Sequence, residues 1–523
     1  MTHTRTVVRA AGIIMASVLA SRILGFVREW TVAYRLGSSA ETDAYYAAFT
    51  LPDFLNYLIA GGALSITFIP IFSKYLAEKR EEEGWRVFST VITILGLTLV
   101  ALLLLAELFA PQMVEIISPG FPPDQKELVV SLTRLMLPAQ ICFYLGGILT
   151  AVQYAKGRFL IPALAPLVYN LGIILGGYLL SPYMGIVGFS VGVLAGALVG
   201  NFGLQIWGAA RVGLRFKPRL DWRHEGFRSF LRLTVPIMLG FSLVYVDDWL
   251  IRRYGSYLAA ASITWLSYAK TLRGIPIALI GQAVGVASYP FLARLYAEGK
   301  SEEMNRMLTG ALRAVIFLIL PVSVLMGVGS KPLVYLVFSG TRLTPTDIEA
   351  TAAALALFSV GTFAWAVQAI LARGFYARKD TWTPMLVGSG VTLLSIPLYA
   401  WLAERYQHLG LALASSVGMI TYAVILFAIL ARRIGNRAAS GTVTFFAKVA
   451  AMSAVMGLTG HFLLQAAHSR LPWNSLGGSL LGLLALGITA IILIPLLAKL
   501  FRIREAESYL RRITDFWSRE TSD

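Results

Sequence analysis

The sequence predicts an all-α polytopic membrane protein with fourteen transmembrane helices, arranged as two six-helix lobes followed by two further helices. Three observations lead there. Of 523 residues, 57% are apolar and only 14% are Asp, Glu, Lys or Arg, against about 45–50% and about 25% in soluble globular proteins. The stretch from Phe159 to Ala210 holds no charged side chain. It is too long for one span of about 20 residues and fits two, joined at Ser181-Pro182-Tyr183-Met184-Gly185. Finally, sequence echoes recur at one long period, described below.

Read along the chain in the same way, the spans fall at 8–35, 42–73, 87–110, 127–153, 160–180, 185–210, 230–251, 261–292, 308–329, 349–372, 384–403, 409–431, 443–466 and 477–498. Arg5 and Arg9 ahead of an apolar run have the look of a cleaved signal sequence, but thirteen further spans make a retained first helix the expectation. Loop charges set the orientation. With the N-terminus inside, thirty Lys and Arg lie on inner loops and tails, and eight lie outside: Arg35, Lys126, Arg252, Arg253, Lys331, Arg342, Arg405 and Arg470. The positive-inside rule then places both termini in the cytoplasm. The formal net charge of +17 would suggest a nucleic-acid partner in a soluble protein; here it is an orientation signal, and no nucleic acid is expected. The single cysteine, Cys142, excludes an intramolecular disulfide framework.

Two cytoplasmic loops echo one another. Tyr154-Ala155-Lys156 with Pro162 recurs 222 residues later as Tyr376-Ala377-Arg378 with Pro384. Pro70, Lys74, Ala77 and Glu78 recur 220 residues later as Pro290, Arg294, Ala297 and Glu298. Six spans per copy means that both copies enter the membrane in the same sense, as a parallel repeat about an axis along the membrane normal. The expected organisation is an N-lobe at 1–210, a second lobe at 211–435, spans 13 and 14 at 436–498 and a basic cytoplasmic tail at 499–523. Folds of this kind usually carry a substrate path between the lobes; a fixed scaffold is the bland alternative. Gly188, Gly192, Gly196 and Gly200 form a flat stripe on span 6 that lets a neighbouring helix approach closely. Gly188-Phe189-Ser190-Val191-Gly192 also matches the nucleophile-elbow pattern, but no strand precedes it, so the match is read as accidental.

Charges at hydrocarbon depth are costly and usually face a cavity or one another. Span 1 carries Arg22, Arg28 and Glu29. A separation of six puts the two arginines about 120° apart on a straight helix, and a bend at Leu24-Gly25 would turn both to one side; snorkelling of one to the interface is the alternative. Span 2 carries Asp43 near its outer end, then Pro52-Asp53 and Asn56, with Gly61-Gly62 beyond, so it is expected to bend or unwind. Span 7 holds Asp247-Asp248. Span 8 holds Lys270 and Arg273, i,i+3 neighbours on one helix face. This reading gathers Arg22, Arg28, Lys270 and Arg273 in an interlobe cavity, opposed by Asp247, Asp248 and Asp53. Four bases suit a multiply charged anion such as a diphosphate, gripped bidentately by Arg and as a point charge by Lys. The alternative is a salt-bridge network that only locks the lobes together.

Enzyme signatures are lacking. His3, His224, His408, His461 and His468 show no metal-ligand spacing, and no phosphate-binding glycine loop with its Lys-Ser/Thr occurs. No catalytic residue, metal site or cofactor is therefore assigned, and a pump of this kind must draw on an ion gradient or the membrane potential.

Ser21-Arg22-Ile23-Leu24-Gly25-Phe26-Val27-Arg28-Glu29 resembles the first-helix motif of the MurJ/MviN lipid II flippase family. Thr42-Asp43-Ala44-Tyr45-Tyr46-Ala47-Ala48-Phe49 with Leu51-Pro52 continues the likeness, as do Phe68-Ile69-Pro70-Ile71-Phe72, Pro119-Gly120-Phe121, and Arg158-Phe159 with Pro162-Ala163 and Ala165-Pro166. Gly374-Phe375-Tyr376-Ala377-Arg378 with Asp380, Thr383 and Pro384 is similar to the family's loop between spans 10 and 11. The likeness covers about residues 8–435 in order; the last two spans match mainly by position.

The resemblance implies a flippase of the multidrug/oligosaccharidyl-lipid/polysaccharide exporter superfamily, in the bacterial cytoplasmic membrane. It would move undecaprenyl-diphosphate-linked peptidoglycan precursor from inner to outer leaflet by alternating access, with spans 13 and 14 forming a groove for the lipid tail. It carries over Arg22, Arg28 and Asp43 as functional positions, and a coupling sodium ion or proton near an acid of span 7, here Asp247 or Asp248. Partners implied are the lipid-linked anionic saccharide and membrane lipids, with the chain working as a monomer and contacting the cell-wall synthesis machinery. The chain also departs from the family. Asn56 and Thr271 stand where members commonly carry arginine, and Gly61 and Gly274 where they often carry an acid. Lys270 and Arg273, each within a turn, are the expected substitutes. The expectation is thus a lipid II flippase with Arg22, Arg28, Asp43, Asp53, Asn56, Lys270 and Arg273 on the substrate. A flippase for another lipid-linked oligosaccharide, or a drug or metabolite exporter of the same superfamily, stays open.

Overall fold

The computed structural model describes residues 2–60, 63–238, 243–434, 436–469 and 471–503. Gly61-Gly62, Arg470 and most of the expected basic tail lie outside the described residues. Among the described residues the chain is almost entirely helical, with no strand. Ten of their helices are long and apolar enough to cross a membrane, as the composition requires. The chain divides into two compact units, Met1–Gly240 with Ile251–Thr264, and Phe241–Leu250 with Trp265–Asp523. Large apolar side chains stay exposed on their surfaces, for example Leu104, Leu108, Ile488, Ile491 and Leu500, as expected where the surrounding solvent is lipid.

In the first unit α1 (Thr2–Leu36) runs without interruption past Gly25 and packs along α9 (Leu160–Met184). Span 2 is broken into pieces, as its sequence suggested. Ser39 and Thr42 form a reciprocal cap that starts α2 (Ala40–Ala48). Then α3 (Thr50–Leu55) leads into a π-helical turn at Asn56–Ala60, and α4 (Ala63–Ala77) follows. Next come α5 (Glu81–Leu108), α6 (Ala110–Ile117), α7 (Pro123–Met136) and α8 (Ala139–Ala155). The core here is aromatic: Phe72, Trp85, Phe88 and Phe230 are buried, with ring centroids 5.1 Å apart for Phe72–Trp85.

Beyond α9, α10 (Val187–Gly196), a π turn at Ala197–Gly203 and α11 (Leu204–Ala210) make up span 6. The glycine stripe does what its spacing implied. A Cβ on Gly192 would lie 2.7 Å from the Gly172 carbonyl oxygen, and one on Gly196 would lie 2.6 Å from that of Tyr169, so the two backbones touch only because neither residue has a side chain. The basic segment that follows is strapped to α5: Lys217 N–H donates to Ser89 Oγ at 3.1 Å and Arg219 N–H to Thr93 Oγ1 at 3.3 Å. His224 Nε2 pairs with Glu83 at 2.9 Å, ahead of α12 (Glu225–Met238).

Two helices, α13 (Leu243–Gly255) and α14 (Ser262–Pro276), carry residues of both units. The second unit continues with a π turn at Ile277–Gln282, α15 (Ala283–Ala297), α16 (Ser301–Val328), α17 (Ser330–Phe338) and α18 (Pro345–Ala377). Then come α19 (Trp382–Ile434), α20 (Asn436–His468) and α21 (Leu476–Leu500). Asp380 fastens the start of α19, accepting from Thr383 N–H at 2.9 Å and Thr383 Oγ1 at 2.7 Å and pairing with Arg433 at 2.6 Å. Partial burial pushes its carboxyl up, but these bonds and the Arg433 charge outweigh that and hold it below the usual carboxylate range.

The internal repeat is visible in the backbone of each unit. Helices α5 and α16 are both 28 residues long, and α4 and α15 both 15. The π turns at Asn56–Ala60 and Ile277–Gln282 hold equivalent places. Residues with positive φ pair off at the same period: Lys79 with Gly299, Gly157 with Lys379, and Gly185 with Gln407. The last pair is the sharpest, at φ 56°, ψ −134° for Gly185 and φ 54°, ψ −139° for Gln407. Gln407 thereby divides α19 into two span-length helices. An L-residue is strained in that region by roughly 1–2 kcal/mol, offset in part by the extra unfolded-state freedom of glycine. In thermal unfolding of the purified protein, Gln407→Gly should therefore stabilise by about 1 kcal/mol. Gly185→Ala, where a Cβ would meet nothing within 4 Å, should destabilise by about 1–2 kcal/mol through its backbone alone.

Candidate functional site

The charged residues singled out in the spans fall into separate settings, each built within one unit. In the first unit Arg28 on α1 donates through Nη2 and Nε to Glu29 Oε1, at 2.6 Å and 3.0 Å, and through Nη1 to Asn170 Oδ1 on α9 at 3.3 Å. Glu29 is buried, and its second oxygen accepts from the Tyr46 hydroxyl on α2. Asn170 is itself oriented by donating to the Pro166 carbonyl at 2.9 Å. Arg28 is thus aimed by three helices while 29% of its side chain stays exposed. Arg22 is exposed and has no ion pair among the described residues. The two arginines therefore differ: one is fixed by a carboxylate, and the other is open.

Asp43 has a different task. It is buried, and its Oδ1 accepts from the Thr264 N–H at 2.8 Å and the Thr264 hydroxyl at 2.6 Å; that hydroxyl also lies 3.0 Å from Thr42 Oγ1. A carboxylate set against the first turn of α14 satisfies an orphan N–H and meets the positive end of the helix dipole. Asp53 is half-exposed and pairs with Arg252 on α13 at 3.2 Å, while Arg252 also donates to Thr50 Oγ1 at 3.2 Å. Asn56 stands where α3 passes into the π turn, a distortion frequent at functional positions.

In the second unit Lys270 on α14 joins both acids of α13: its Nζ lies 2.6 Å from Asp247 Oδ2 and also donates to Asp248 Oδ1. The other Asp247 oxygen accepts from the buried Tyr399 hydroxyl on α19. Three of the four carboxylate oxygens of this pair are thus engaged by the chain's own donors. Arg273, one turn further along α14, is buried; its guanidinium carbon lies 4.7 Å from the ring centroids of both Phe358 and Trp365 on α18. Its Nη1 reaches Ser415 Oγ at 3.5 Å, and its Nε has no hydrogen-bond partner among the described residues. Such a cation is held by ring faces and one hydroxyl rather than by a carboxylate. No cluster of three metal-ligating side chains occurs among the described residues.

Glu29, Tyr46, Asn170, Thr264, Arg252, Tyr399 and Ser415 carry no functional role by sequence alone, and Arg252 reads there only as a loop charge. Apart from the Glu29 pairing with its neighbour Arg28, their partners lie 17 to 221 residues away. The one local signal was an isolated polar residue in an apolar run, which Asn170 and Tyr399 both are.

The family profile described as Lipid II flippase MurJ matches residues 32–477. A probable lipid II flippase MurJ of Vibrio cholerae serotype O1 is 28% identical over 514 residues, covering 95% of this chain and 97% of the relative. One from Rhizobium tropici is 30% identical over 435 residues, covering 80% and 79%. Among solved structures, a lipid II flippase MurJ in an inward closed conformation superposes with a TM-score of 0.76 at 24% identity, over 92% of this chain and 98% of the other. A multidrug resistance MATE family transporter, inward-facing, superposes with a TM-score of 0.66 at 14% identity, over 81% and 98%.

The Asp43–Thr264 pair yields a direct check. Asp43→Ala strands a buried N–H and hydroxyl and should lower the unfolding free energy by about 1–3 kcal/mol. Thr264→Val alone should cost less, because its backbone N–H still donates. A double-mutant cycle in thermal unfolding should show the two losses to be non-additive.

Proposed function

The chain belongs to the lipid II flippase MurJ family, and on that premise we propose that it carries lipid II, the diphosphate-linked peptidoglycan precursor, from the inner to the outer leaflet by alternating access. The family is one of transporters, not enzymes, and this chain is a multi-pass protein of the bacterial inner membrane. The observation that carries the reading is the profile match over 32–477, joined to a first helix that presents one fixed and one open arginine. In this reading the diphosphate is bound by Arg22 and Arg28 of the first unit, while Asp43 and Asp53 hold the surrounding helices.

Both termini are cytoplasmic in this proposal, the chain works as a monomer, and it hands its cargo to the cell-wall synthesis machinery. The exposed apolar faces of α20 and α21, including Leu458, Phe462, Leu484 and Ile488, support a role in carrying the prenyl tail. The inside-negative potential drives an anion outward, at about 2.3 kcal/mol per charge per 100 mV. Of the two coupling ions expected near Asp247 or Asp248, a sodium ion or a proton, the Lys270 ammonium already seated on both acids favours the proton.

In a strain depleted of its own flippase, Arg28→Ala should reach the membrane in normal amount yet fail to sustain growth, with Arg28→Lys intermediate because a point charge replaces a bidentate fork. Full rescue by Arg28→Ala contradicts the reading. Removal of residues 437–523 should also abolish rescue; a drug exporter on the same plan would tolerate it.

A further inference from the structure

Asp247 and Asp248 are adjacent carboxylates on α13, and Asp247 is 2% exposed at its side chain. Asp248 is 52% exposed, but the two charges repel one another and the buried one loses its hydration, so a counter-cation must accompany them. The chain supplies it. Lys270 Nζ lies 2.6 Å from Asp247 Oδ2 and donates also to Asp248 Oδ1, while Tyr399 donates its hydroxyl to the remaining Asp247 oxygen. The other cation of this neighbourhood, Arg273, is engaged by Phe358, Trp365 and Ser415 and makes no ion pair with either acid among the described residues. Lys270 is only 16% exposed.

We propose that Lys270 is a built-in counter-cation, tethered to α14, that occupies at Asp247 and Asp248 the place a free monovalent cation would take. The acids are neutralised by the chain itself, so a free cation gains a place there only when the ammonium leaves. Removing the ammonium while keeping the length of the side chain leaves two carboxylates and a Tyr399 hydroxyl without a positive partner. Those are the hard oxygen ligands that suit a small alkali ion. This role of Lys270 is the same whichever lipid-linked saccharide is carried.

The test compares the purified full-length protein and Lys270→Met in detergent at alkaline pH, titrated with sodium chloride against choline chloride at constant ionic strength. The readouts are thermal unfolding and radioactive-sodium binding. The unsubstituted protein should show the same unfolding temperature in both salts and no saturable sodium binding. Lys270→Met should be less stable in choline and should recover by roughly 2–4 °C as sodium saturates a single site. Lys270→Met combined with Asp247→Asn and Asp248→Asn should lose that response. Saturable sodium binding by the unsubstituted protein overturns the proposal, and so does a folded Lys270→Met protein that ignores sodium. The first arm needs no variant, so a variant that fails to fold does not rescue the idea. Failure in either arm leaves the flippase reading standing, since that rests on growth and lipid translocation.

Discussion

Charge compensation inside an apolar fold is the constraint on which the rest of this structure depends. A chain with 14% charged residues places most of them at loops, where water solvates them. The charges singled out within the helices have no such recourse, and each is answered by a partner or left exposed. Arg28 is answered by Glu29, whose other oxygen is held by Tyr46; Asp247 and Asp248 are answered by Lys270. Asp43 is answered by the first turn of α14, and Arg273 by two aromatic faces. Such arrangements contribute little net stability, because desolvation offsets attraction, but removing one partner is expensive. They therefore fix which helices meet and in which register.

Two of the spans that carry these residues are also irregular. Span 2 breaks into α2, α3 and a π turn, and span 8 passes from α14 through its own π turn into α15. A π turn frees backbone groups from the regular ladder and redirects the side chains beyond it. The uncharged helices α9 and α10 show the opposite solution. They meet through bare glycine backbones in contact. Rigid, closely packed pairs and interrupted, charge-bearing helices thus coexist in one chain, as expected of a carrier whose functional groups must move against a fixed frame.

The helical membrane fold was legible in the sequence because composition and span length are strict demands of the bilayer. The repeat was legible in two short echoes, and the backbone extends it to features no residue identity reveals. Gln407 takes up the conformation that glycine holds at Gly185, with nothing in its side chain to announce it. Site residues were legible wherever a charge interrupted an apolar run, which singled out Arg22, Arg28, Asp43, Asp247, Asp248, Lys270 and Arg273. Their partners were not. Lys270 and Arg273 share a helix face by spacing, yet one turns to the acids of α13 and the other to the rings of α18. Arg252 was counted as a loop charge and proves to hold Asp53. Pairings across 142 to 221 residues follow from how helices pack, and no local spacing carries that information.

A MurJ-family lipid II flippase moves a diphosphate-linked lipid across a bilayer. The most direct measurement reconstitutes the purified protein in vesicles containing lipid II. Its exposure on each leaflet is followed with a membrane-impermeant reagent that attacks the saccharide-peptide headgroup. Protein-containing vesicles should lose the protected inner-leaflet fraction over time, while vesicles without protein keep it. An equal and lasting protected fraction in both, with the protein folded and correctly inserted, would contradict the account.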